Sequence, residues 1–338
     1  MDVLPILPLA LLLDILIGDP DSKWHPVRQL GHILDGGQRT LRSMNVPELP
    51  GGVAMTLLGI VFIVGGYLLM YSLVFPLLPG YVVLIVHAVL LSLCMSFRSM
   101  FDHALRVVIA LRENELDEAR DALRPMVRRD ADHLDYHGIA RAAIEALSNG
   151  FVNTCISPVF WFCTGALAGL WMPFPIVVCG VSAVLLHCTI RRLDDVLHAE
   201  RTTRTFGWFS SLLNLLMNFL PARLAVPFLF AGSLFTSADT DLGGRTWLRH
   251  RRKHHSPNTG QTESFMAGAL HVRLGGPKVY PDRVVEQPWM GEGTPDATEV
   301  HVKACVRLVF LAGAMAFLCA FLFLVGLEQV HRSMLSPY

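Results

Sequence analysis

One stretch decides the class of this protein: Cys305–Leu327, CVRLVFLAGAMAFLCAFLFLVGL, in which Arg307 is the only charged residue. A helix needs about 20 such residues to cross the hydrocarbon of a bilayer. Similar apolar runs recur along the chain, which is 52% hydrophobic with a mean hydropathy of +0.45. They are Val53–Leu78, Tyr81–Phe97, Cys155–Met172, Pro175–Ile190 and Leu212–Phe235. We therefore predict an all-α, polytopic membrane protein with about six or seven membrane-embedded helices.

The first apolar run, Val3–Ile17, is shorter and contains Asp14, so it is a weaker candidate for a span. It is also not typical of a signal peptide. Asp2 is the only charge before Asp14, and no small-residue cleavage site precedes the polar stretch Gly18-Asp19-Pro20. We predict that this segment is retained.

Charge in the connections predicts the orientation. The connections Leu78–Gly80 and Met172–Pro175 contain no Lys or Arg, whereas Arg98–Arg141, Arg191–Arg204 and Arg245–Lys303 contain eight, four and nine. Basic connections face the cytoplasm, so we expect a multi-pass protein of the inner (plasma) membrane with a cytoplasmic active face. The formal net charge of zero gives no indication of nucleic-acid binding.

The run Leu212–Phe235 is interrupted by Pro221, Arg223 and Pro227. Proline breaks the hydrogen-bond ladder of a helix, and an arginine at the centre of a lone span costs at least ~2.5 kcal/mol. A re-entrant or broken helix that returns to the cytoplasmic side accommodates both features. The alternative is a kinked single span with Arg223 facing the bundle.

Two polar regions lie within what we expect to be one integral membrane domain over residues 1–338. Residues 97–154 are predicted to be a helical cytoplasmic insert, and residues 237–304 a cytoplasmic loop that carries motifs. In the insert, apolar residues recur at helical spacing among charged ones: Leu105, Val108, Ile109, Leu116, Leu123 and Met126.

The first polar segment that indicates chemistry follows the N-terminal run. Gly18 and Pro20 end that helix and would hold Asp19 at its cytoplasmic end, with His25 and Arg28 close behind. A carboxylate suits Mg²⁺ or an ammonium group, and arginine suits phosphate or carboxylate. The alternative is a helix end with an interfacial ion pair. Asp14, an acid inside an apolar helix, is a functional candidate on that ground alone.

The second polar segment begins with the basic run Arg251–His255. Pro257–Gly260 is typical of a turn, and Ser264–Leu270 is predicted to start a helix with Glu263 near its first turn. A cation-rich entry, a turn with free amides and a helix N-terminus together resemble an anion-binding arrangement. The alternative, in which the basic residues only anchor the chain at the membrane surface, explains the basic residues but not Glu263.

Other sequence features limit the kinds of ligand site and catalytic mechanism that this chain could have. Asp194 and Asp195 follow Arg191-Arg192 and would either bind Mg²⁺ or pair with the arginines. The seven Cys form no CxxC pair and are interpreted as small core residues. The sequence contains neither a GxxxxGK[ST] nor a GxGxxG motif, and no Ser-His-Asp order or Cys nucleophile motif. A bound nucleotide would therefore need another kind of site.

Several motifs, taken together in their order and spacing, indicate a protein family more specifically than any one of them does alone. They are Asp14…Gly18-Asp19-Pro20…His25-Pro26-Val27-Arg28…Gly31, Phe97-Arg98-Ser99, Arg129-Asp130, Arg141-Ala142-Ala143-Ile144-Glu145, Ile156-Ser157-Pro158-Val159-Phe160-Trp161, Leu193-Asp194, Phe206-Gly207-Trp208, Pro221-Ala222-Arg223-Leu224 and Ser256-Pro257-Asn258-Thr259-Gly260…Glu263…Met266–Leu270…Val272–Gly276. Over nearly its full length the chain resembles the CobD/CbiB family of cobalamin-biosynthesis membrane proteins, the adenosylcobinamide-phosphate synthases.

This resemblance implies an enzyme that joins a carboxylate of an adenosylated corrinoid, cobyric acid, to aminopropanol or its phosphate, with ATP and Mg²⁺ as cofactors. Its partners would be these small molecules, the lipid bilayer and other cobalamin-pathway membrane enzymes. The acids implied as metal ligands are Asp14, Asp19, Asp194 and Glu263. The residues implied in substrate and phosphate binding are Arg28, Lys253, Asn258, Arg273 and Arg223. Deprotonation of the amine is assigned to His25, His255 or Glu263.

The chain departs from the family pattern at acidic positions. Where the family usually carries Ala-Glu-Asn-x-x-Asp-Gly, this chain has Ser148–Thr154, SNGFVNT, and an expected Arg-Leu-Asp-Asp is Leu212–Leu215, LLNL. Loss of acids would weaken a Mg²⁺/ATP site. Two alternatives therefore stay open: an inactive paralogue acting as an AmpE-like membrane sensor, and a transporter, which should show inverted repeats.

Overall fold

A computed structural model describes residues 3–18, 36, 46–127, 130–197, 205–280 and 283–335. The α-helices are α1 (Ile6–Ile17), α2 (Glu48–Ile60), α3 (Gly66–Leu73), α4 (Gly80–Cys94), α5 (Phe97–Arg112), α6 (Leu116–Leu123), α7 (Tyr136–Gly150), α8 (Ser157–Ala168), α9 (Ile176–Leu197), α10 (Trp208–Met217), α11 (Phe219–Ser233), α12 (Thr240–His250), α13 (Thr259–Ala269) and α14 (Glu299–Leu335). Short π-helical turns at Val61–Gly65 and Phe151–Ile156 join α2 to α3 and α7 to α8. The strands β1 (Leu274–Gly275), β2 (Lys278–Tyr280), β3 (Arg283–Val285) and β4 (Trp289–Met290) form two short antiparallel pairs, β1 with β4 and β2 with β3.

The prediction of an all-α, polytopic membrane protein is confirmed. Five helical stretches of the described chain are long and apolar enough to cross a membrane: Glu48–Leu77, Gly80–Arg112, Tyr136–Ala168, Ile176–Leu197 and Glu299–Met334. The pair α10 and α11 makes a sixth if it is one span, and α1 is a shorter apolar helix. The helices thus extend beyond the apolar runs into polar sequence. For example, α14 begins before Cys305.

The helix in the Leu212–Phe235 run is broken, as predicted, but the position of the break is different. It falls at Asn218, between α10 and α11, whereas Pro221, Arg223 and Pro227 all lie inside α11. Pro221 is in the first turn of α11, where its missing N–H has no partner to lose. The chain bends at Asn218, which fits either a broken span or a re-entrant segment.

The described residues form two compact units, of which the first comprises those of Met1–Ser96, Ser157–Met217 and Ala320–Tyr338. In this unit α9 packs against α8, α10, α4 and α2, and α1 packs against α4. Met55, Leu193, Leu197 and Phe206 form a buried apolar cluster between these helices.

The second unit comprises the described residues of Phe97–Ile156 and Asn218–Cys319. At its centre lies α13, which packs against α12, α11 and α7. The region 237–304 contains α12, α13 and both strand pairs. The predicted helix start at Ser264 is wrong: α13 begins at Thr259, and Glu263 lies in its second turn.

Within residues 97–154 the structure contains α5, α6 and α7. Two of the predicted apolar positions do not face the interior, because Leu105 and Ile109 are 42% and 56% exposed. The buried face of α5 is formed instead by residues such as Phe101, Ala104 and Leu111. The periodicity was therefore helical, but apolar residues occupy more than one face of α5.

We predict that Gly165→Val destabilises the α8–α9 pair. A Cβ at Gly165 would lie 2.5 Å from the carbonyl oxygen of Cys179 and 2.7 Å from the Cβ of Ala183. Overpacking of this kind costs about 1–3 kcal/mol, so the Tm in detergent should fall. Gly66→Val is the matched control, because a Cβ at Gly66 would meet nothing within 4 Å. Equal Tm values for the two variants would contradict close packing of α8 on α9.

Candidate functional site

The helix α13 is buried along nearly its whole length although it carries consecutive polar residues. Gln261, Thr262, Glu263 and Ser264 are each at most 5% exposed. The indole N–H of Trp247 donates to Gln261 Oε1 at 3.0 Å, and the Gln261 amide donates to the Pro257 carbonyl at 3.0 Å. Buried polar groups cost free energy unless they are hydrogen-bonded. This region is therefore an ordered polar centre.

His254 lies opposite Glu263 in this centre. Its Nε2 is 3.7 Å from Glu263 Oε2, and the two side chains are 7% and 3% exposed. His254 Nδ1 is 3.1 Å from the carbonyl oxygen and 2.9 Å from the amide nitrogen of Ser256. When the ring proton is on Nε2, Nδ1 accepts the Ser256 N–H. In the other tautomer Nδ1 donates to the Ser256 carbonyl, and Nε2 is able to accept a proton beside Glu263.

The surroundings of His254 keep its imidazole neutral at pH 7. Burial, followed by the positive charge of Lys278, lowers the pKa of His254 to about 4. A neutral imidazole is the form that can accept a proton, and a neighbouring carboxylate can stabilise the imidazolium that results. With a pKa of about 4 the ring is a weak base, so this pair acts as a general base only where the Glu263 carboxylate stabilises the imidazolium.

A second buried pair joins α7 to the chain after α13. Glu145 Oε2 is 3.0 Å from Lys278 Nζ, and the side chains are 7% and 11% exposed. Glu145 Oε1 accepts the N–H of Gly275 at 2.8 Å. The charges of Lys278 and Glu145 both act on the pKa of His254, so the two pairs interact electrostatically. We call Glu145, Lys278, His254 and Glu263 the buried charge cluster.

Two glycines shape the turn between β1 and β2. Gly275 and Gly276 have φ angles of +88° and +73°, which L side chains rarely adopt. A Cβ at Gly276 would also lie 2.3 Å from the ring of Trp289. This turn directs the Gly275 N–H and the Lys278 side chain toward the same carboxylate.

Three predicted site residues are on the surface of the second unit. His255, Lys253 and Arg273 are exposed. His255 Nε2 lies 2.9 Å from the carbonyl oxygen of Glu286, and Arg273 Nε donates to the Gly293 carbonyl at 3.0 Å. Of the two adjacent histidines, the structure places His254 beside Glu263.

The turn predicted before α13 is present, but the prediction that its amides are free is wrong. The N–H of Thr259 donates to Ser256 Oγ at 3.3 Å, and that of Gly260 to the Ser256 carbonyl at 3.1 Å. The third N–H, of Gln261, donates to the Asn258 carbonyl at 3.1 Å. Asn258 is buried and its Oδ1 accepts a hydrogen bond from Arg223 at 3.4 Å, so these two predicted residues do lie together.

Two predicted metal ligands belong to the first unit. Asp14 is 2% exposed, and its Oδ1 accepts the N–H of Ser96 at 3.4 Å. Asp194 is 8% exposed and accepts hydrogen bonds from the Ser211 hydroxyl and, at 2.8 Å, from the Asn214 amide. Within the described residues, Asp194 is held by these neutral donors.

The other predicted residues of the N-terminal segment, Asp19, His25 and Arg28, lie outside the described residues. Among those that are described, no three His, Cys, Asp or Glu side chains form a group that could hold a metal ion. A nucleotide-bound Mg²⁺ needs only one or two carboxylates besides phosphate and water. Glu263 is the predicted ligand present in the polar centre, but the described residues do not assemble a Mg²⁺ site around it.

Sequence reasoning did not select three members of the buried charge cluster. The sequence analysis selected His255 as a candidate base and not its neighbour His254. The sequence alone cannot decide which of two adjacent side chains faces inward. Glu145 had a usable signal, because an acid between Ile144 and Leu147 on a helix is unusual among apolar neighbours. No sequence signal indicated Lys278, since only the fold brings it close to α7.

The fold is that of a polytopic helical membrane protein, and its buried cluster of acids, a lysine and a neutral histidine has the composition of an acid–base centre. Comparison with known proteins agrees with the resemblance found in the sequence. The family model described as CobD/Cbib protein matches residues 7–309, and the chain belongs to this family.

Its relatives include proteins named cobalamin biosynthesis protein CobD from three bacteria. The protein of Brucella anthropi is 33% identical, over 90% of this chain and 91% of its own length. Those of Photorhabdus laumondii and Rhodobacter capsulatus are each 31% identical, over 91% and 88% of this chain and 93% and 89% of their own lengths. No solved structure matches the chain.

We predict that Lys278→Met destabilises the protein by about 3–5 kcal/mol, because it removes a buried lysine charge that pairs with the buried Glu145. Glu145→Gln together with Lys278→Met should cost less than the sum of the single changes. Thermal or denaturant unfolding in detergent measures all three. Arg245→Met is the control, because the Arg245–Asp241 pair is 68% and 71% exposed, and it should change stability by less than ~1 kcal/mol. Additive effects at Glu145 and Lys278 would show that the pair is not coupled.

We also predict acid-sensitive stability that depends on His254. Its pKa is about 4 in the folded state and about 6.5 when unfolded. The unfolded chain thus binds more protons between these values. Stability is fully present above pH ~6.5 and falls as the pH decreases toward 4, by up to about 3 kcal/mol. The Tm difference between about pH 7.5 and pH 5 should shrink in His254→Gln but not in His255→Gln. An unchanged difference in His254→Gln would contradict the neutral, buried state.

Proposed function

We propose that this protein acts in cobalamin biosynthesis as an adenosylcobinamide-phosphate synthase-like ligase. In this reaction, ATP drives amide formation between the carboxylate of an adenosylated corrinoid, cobyric acid, and aminopropanol or its phosphate. Family membership and the names of the relatives support the pathway. The buried pair His254–Glu263 is the observation that supports the reaction type.

Amide formation needs an activated carboxylate and an uncharged amine. When bound, ATP with Mg²⁺ would supply the activation, with an acyl phosphate as the reactive species. The amine then attacks the carbonyl carbon, the C–N bond forms, and the bond to the phosphate oxygen breaks. The ammonium form of the substrate must first lose a proton, which requires a base.

We assign that base to His254. Its imidazole is neutral at pH 7, and Glu263 lies 3.7 Å away, where it would stabilise the protonated ring. Lys278 and Glu145 hold the turn that borders this pair. His255 is exposed and lies against a backbone carbonyl, which makes it a poorer candidate.

The location proposed for this reaction is the cytoplasmic side of the inner membrane. The long apolar helices support a multi-pass protein. The excess of Lys and Arg in Arg98–Arg141 and Arg245–Lys303 supports a cytoplasmic position for the segments that carry the buried charge cluster. The named relatives give no support to the AmpE-like sensor alternative.

Complementation tests the proposal with a matched pair of variants. A strain without its cobinamide-phosphate synthase, supplied with cobyric acid and made dependent on cobalamin, should grow with the wild-type protein and with His255→Gln. His254→Gln should fail to support growth at equal abundance in the membrane, because loss of a general base costs about 10²- to 10⁴-fold in rate.

Two outcomes would count against different parts of this proposal. No growth with abundant, membrane-inserted wild type would contradict the synthase function itself. Growth with His254→Gln and none with His255→Gln would retain the function but transfer the role of base to the exposed histidine. Immunoblots of membrane fractions supply the abundance control.

A further inference from the structure

The helices α5 and α14 pack against each other in the second unit through aromatic side chains. The ring centroid of Phe97 lies 5.7 Å from that of Phe317, and the centroid of Phe101 lies 6.0 Å from that of Phe310. A later residue of α5 thus meets an earlier residue of α14, so the two helices run antiparallel. The C-terminal half of α5 therefore lies toward the N-terminal end of α14.

The C-terminal half of α5 has an exposed stripe that mixes apolar and cationic side chains. Leu105 and Ile109, one turn apart, are both exposed, and so are Arg106 and Arg112 beside them. Large apolar side chains flanked by arginines on one face are typical of a helix that lies at a membrane surface. This half of α5 is therefore built for the boundary between water and lipid.

The exposed stripe of α14 has the same mixture at its N-terminal end. Val300, Lys303 and Arg307 are exposed there, and Phe310 and Leu318 continue the stripe. These positions are three to eight residues apart and follow one face of the helix. Because no charge follows Arg307 within the apolar run, the level of the lipid headgroups lies near this residue.

The cations of these two stripes have no acidic partners. Within the described residues, no ion pair is formed by Arg106, Arg112, Lys303 or Arg307. The neighbouring Arg98 differs, since it pairs with Asp102 at 3.2 Å. The exposed acid on this part of α5 is Glu113, so the cations exceed the acids and the face as a whole is positive.

Such a surface fits neither water nor the centre of the hydrocarbon. Apolar side chains gain free energy at the boundary of the acyl chains, and Lys and Arg extend their charged ends into the headgroups. Anionic lipids of the cytoplasmic leaflet attract cations that lie near the membrane surface. The face of α5 and α14 is complementary to an anionic lipid in both respects.

We propose that the C-terminal half of α5 and the N-terminal part of α14 form a docking surface for an anionic phospholipid. The exposed Leu105, Ile109 and Phe310 contact its acyl chains, and the unpaired cations, among them Arg106 and Arg307, bind its phosphate. A soluble phosphate compound would leave the apolar side chains uncovered, so it is a poorer occupant. The surface does not depend on the proposed amide-forming reaction.

The test uses the full-length protein purified in a neutral detergent. Its Tm is measured in mixed micelles as phosphatidylglycerol is titrated, with phosphatidylcholine as the uncharged comparison. Glycerol 3-phosphate, at equal ionic strength, represents the soluble headgroup. Phosphatidylglycerol should raise the Tm at a lower mole fraction than phosphatidylcholine does, and glycerol 3-phosphate should not raise it.

The double variant Arg106→Gln, Arg307→Gln tests the cations. The phosphatidylglycerol fraction needed for half of the Tm shift should rise by about 10- to 30-fold, because each cation near an anionic surface contributes about a 5-fold gain in affinity. The control is Arg245→Gln, Arg249→Gln, which removes the same charge from two exposed arginines that have acidic partners. It should respond as the wild type does.

A second variant, Leu105→Ser with Ile109→Ser, tests the acyl-chain contact without a change of charge, and it should also weaken the response to phosphatidylglycerol. The proposal is wrong if phosphatidylglycerol and phosphatidylcholine act equally on the wild type, or if either double variant on this face responds as the wild type does. A shift with glycerol 3-phosphate would instead indicate a site for a soluble anion and contradict the docking surface. Should the cationic double variant fail to fold, Arg106→Gln alone decides by the same criteria.

Discussion

The carboxylate of Glu145 holds together the parts of the second unit that carry its chemistry. One oxygen accepts the N–H of Gly275 and the other pairs with Lys278. A carboxylate on α7 thereby fixes the turn that follows α13, and with it the lysine whose charge, after burial, lowers the pKa of His254. The neighbouring histidine at 255, outside this arrangement, has no comparable environment. The polar centre is thus set by one ion pair and one backbone hydrogen bond rather than by the basic run that is most visible in the sequence.

The fold was largely predictable from the sequence because long apolar runs have few physical solutions. A run such as Cys305–Leu327 must be helical in a bilayer, where backbone groups find no water to bond. The sequence indicated that the helix in the Leu212–Phe235 run is interrupted, but not at which residue. Proline is tolerated in the first turn of a helix, so Pro221 lies inside α11. The break between α10 and α11 occurs instead at Asn218.

The site was less predictable because its members are far apart in sequence. Glu263 and Asn258 are close in sequence, Asn258 at the start of α13 and Glu263 within it, and both are buried. Lys278 meets Glu145 across more than a hundred residues of chain, and no local pattern encodes that meeting. The choice between His254 and His255 depended on the conformation of one turn, which neither periodicity nor spacing reveals.

At position 214 the structure explains a departure from the family pattern. Asn214 donates its amide to Asp194 at 2.8 Å. An aspartate at 214 would place a second carboxylate against the first, and the two like charges would repel each other unless a cation lay between them. The asparagine removes that requirement, so in this chain Asp194 is stabilised without any added charge.

The close packing of α8 on α9 has a consequence for how the protein is made. The two helices are neighbours in sequence, joined by a short connection, and Gly165 lets their backbones approach without a large side chain between them. The residues that make this contact are close in sequence. The two helices would pair soon after both have left the translocon, and the later helices of the first unit would then assemble on a surface that already exists.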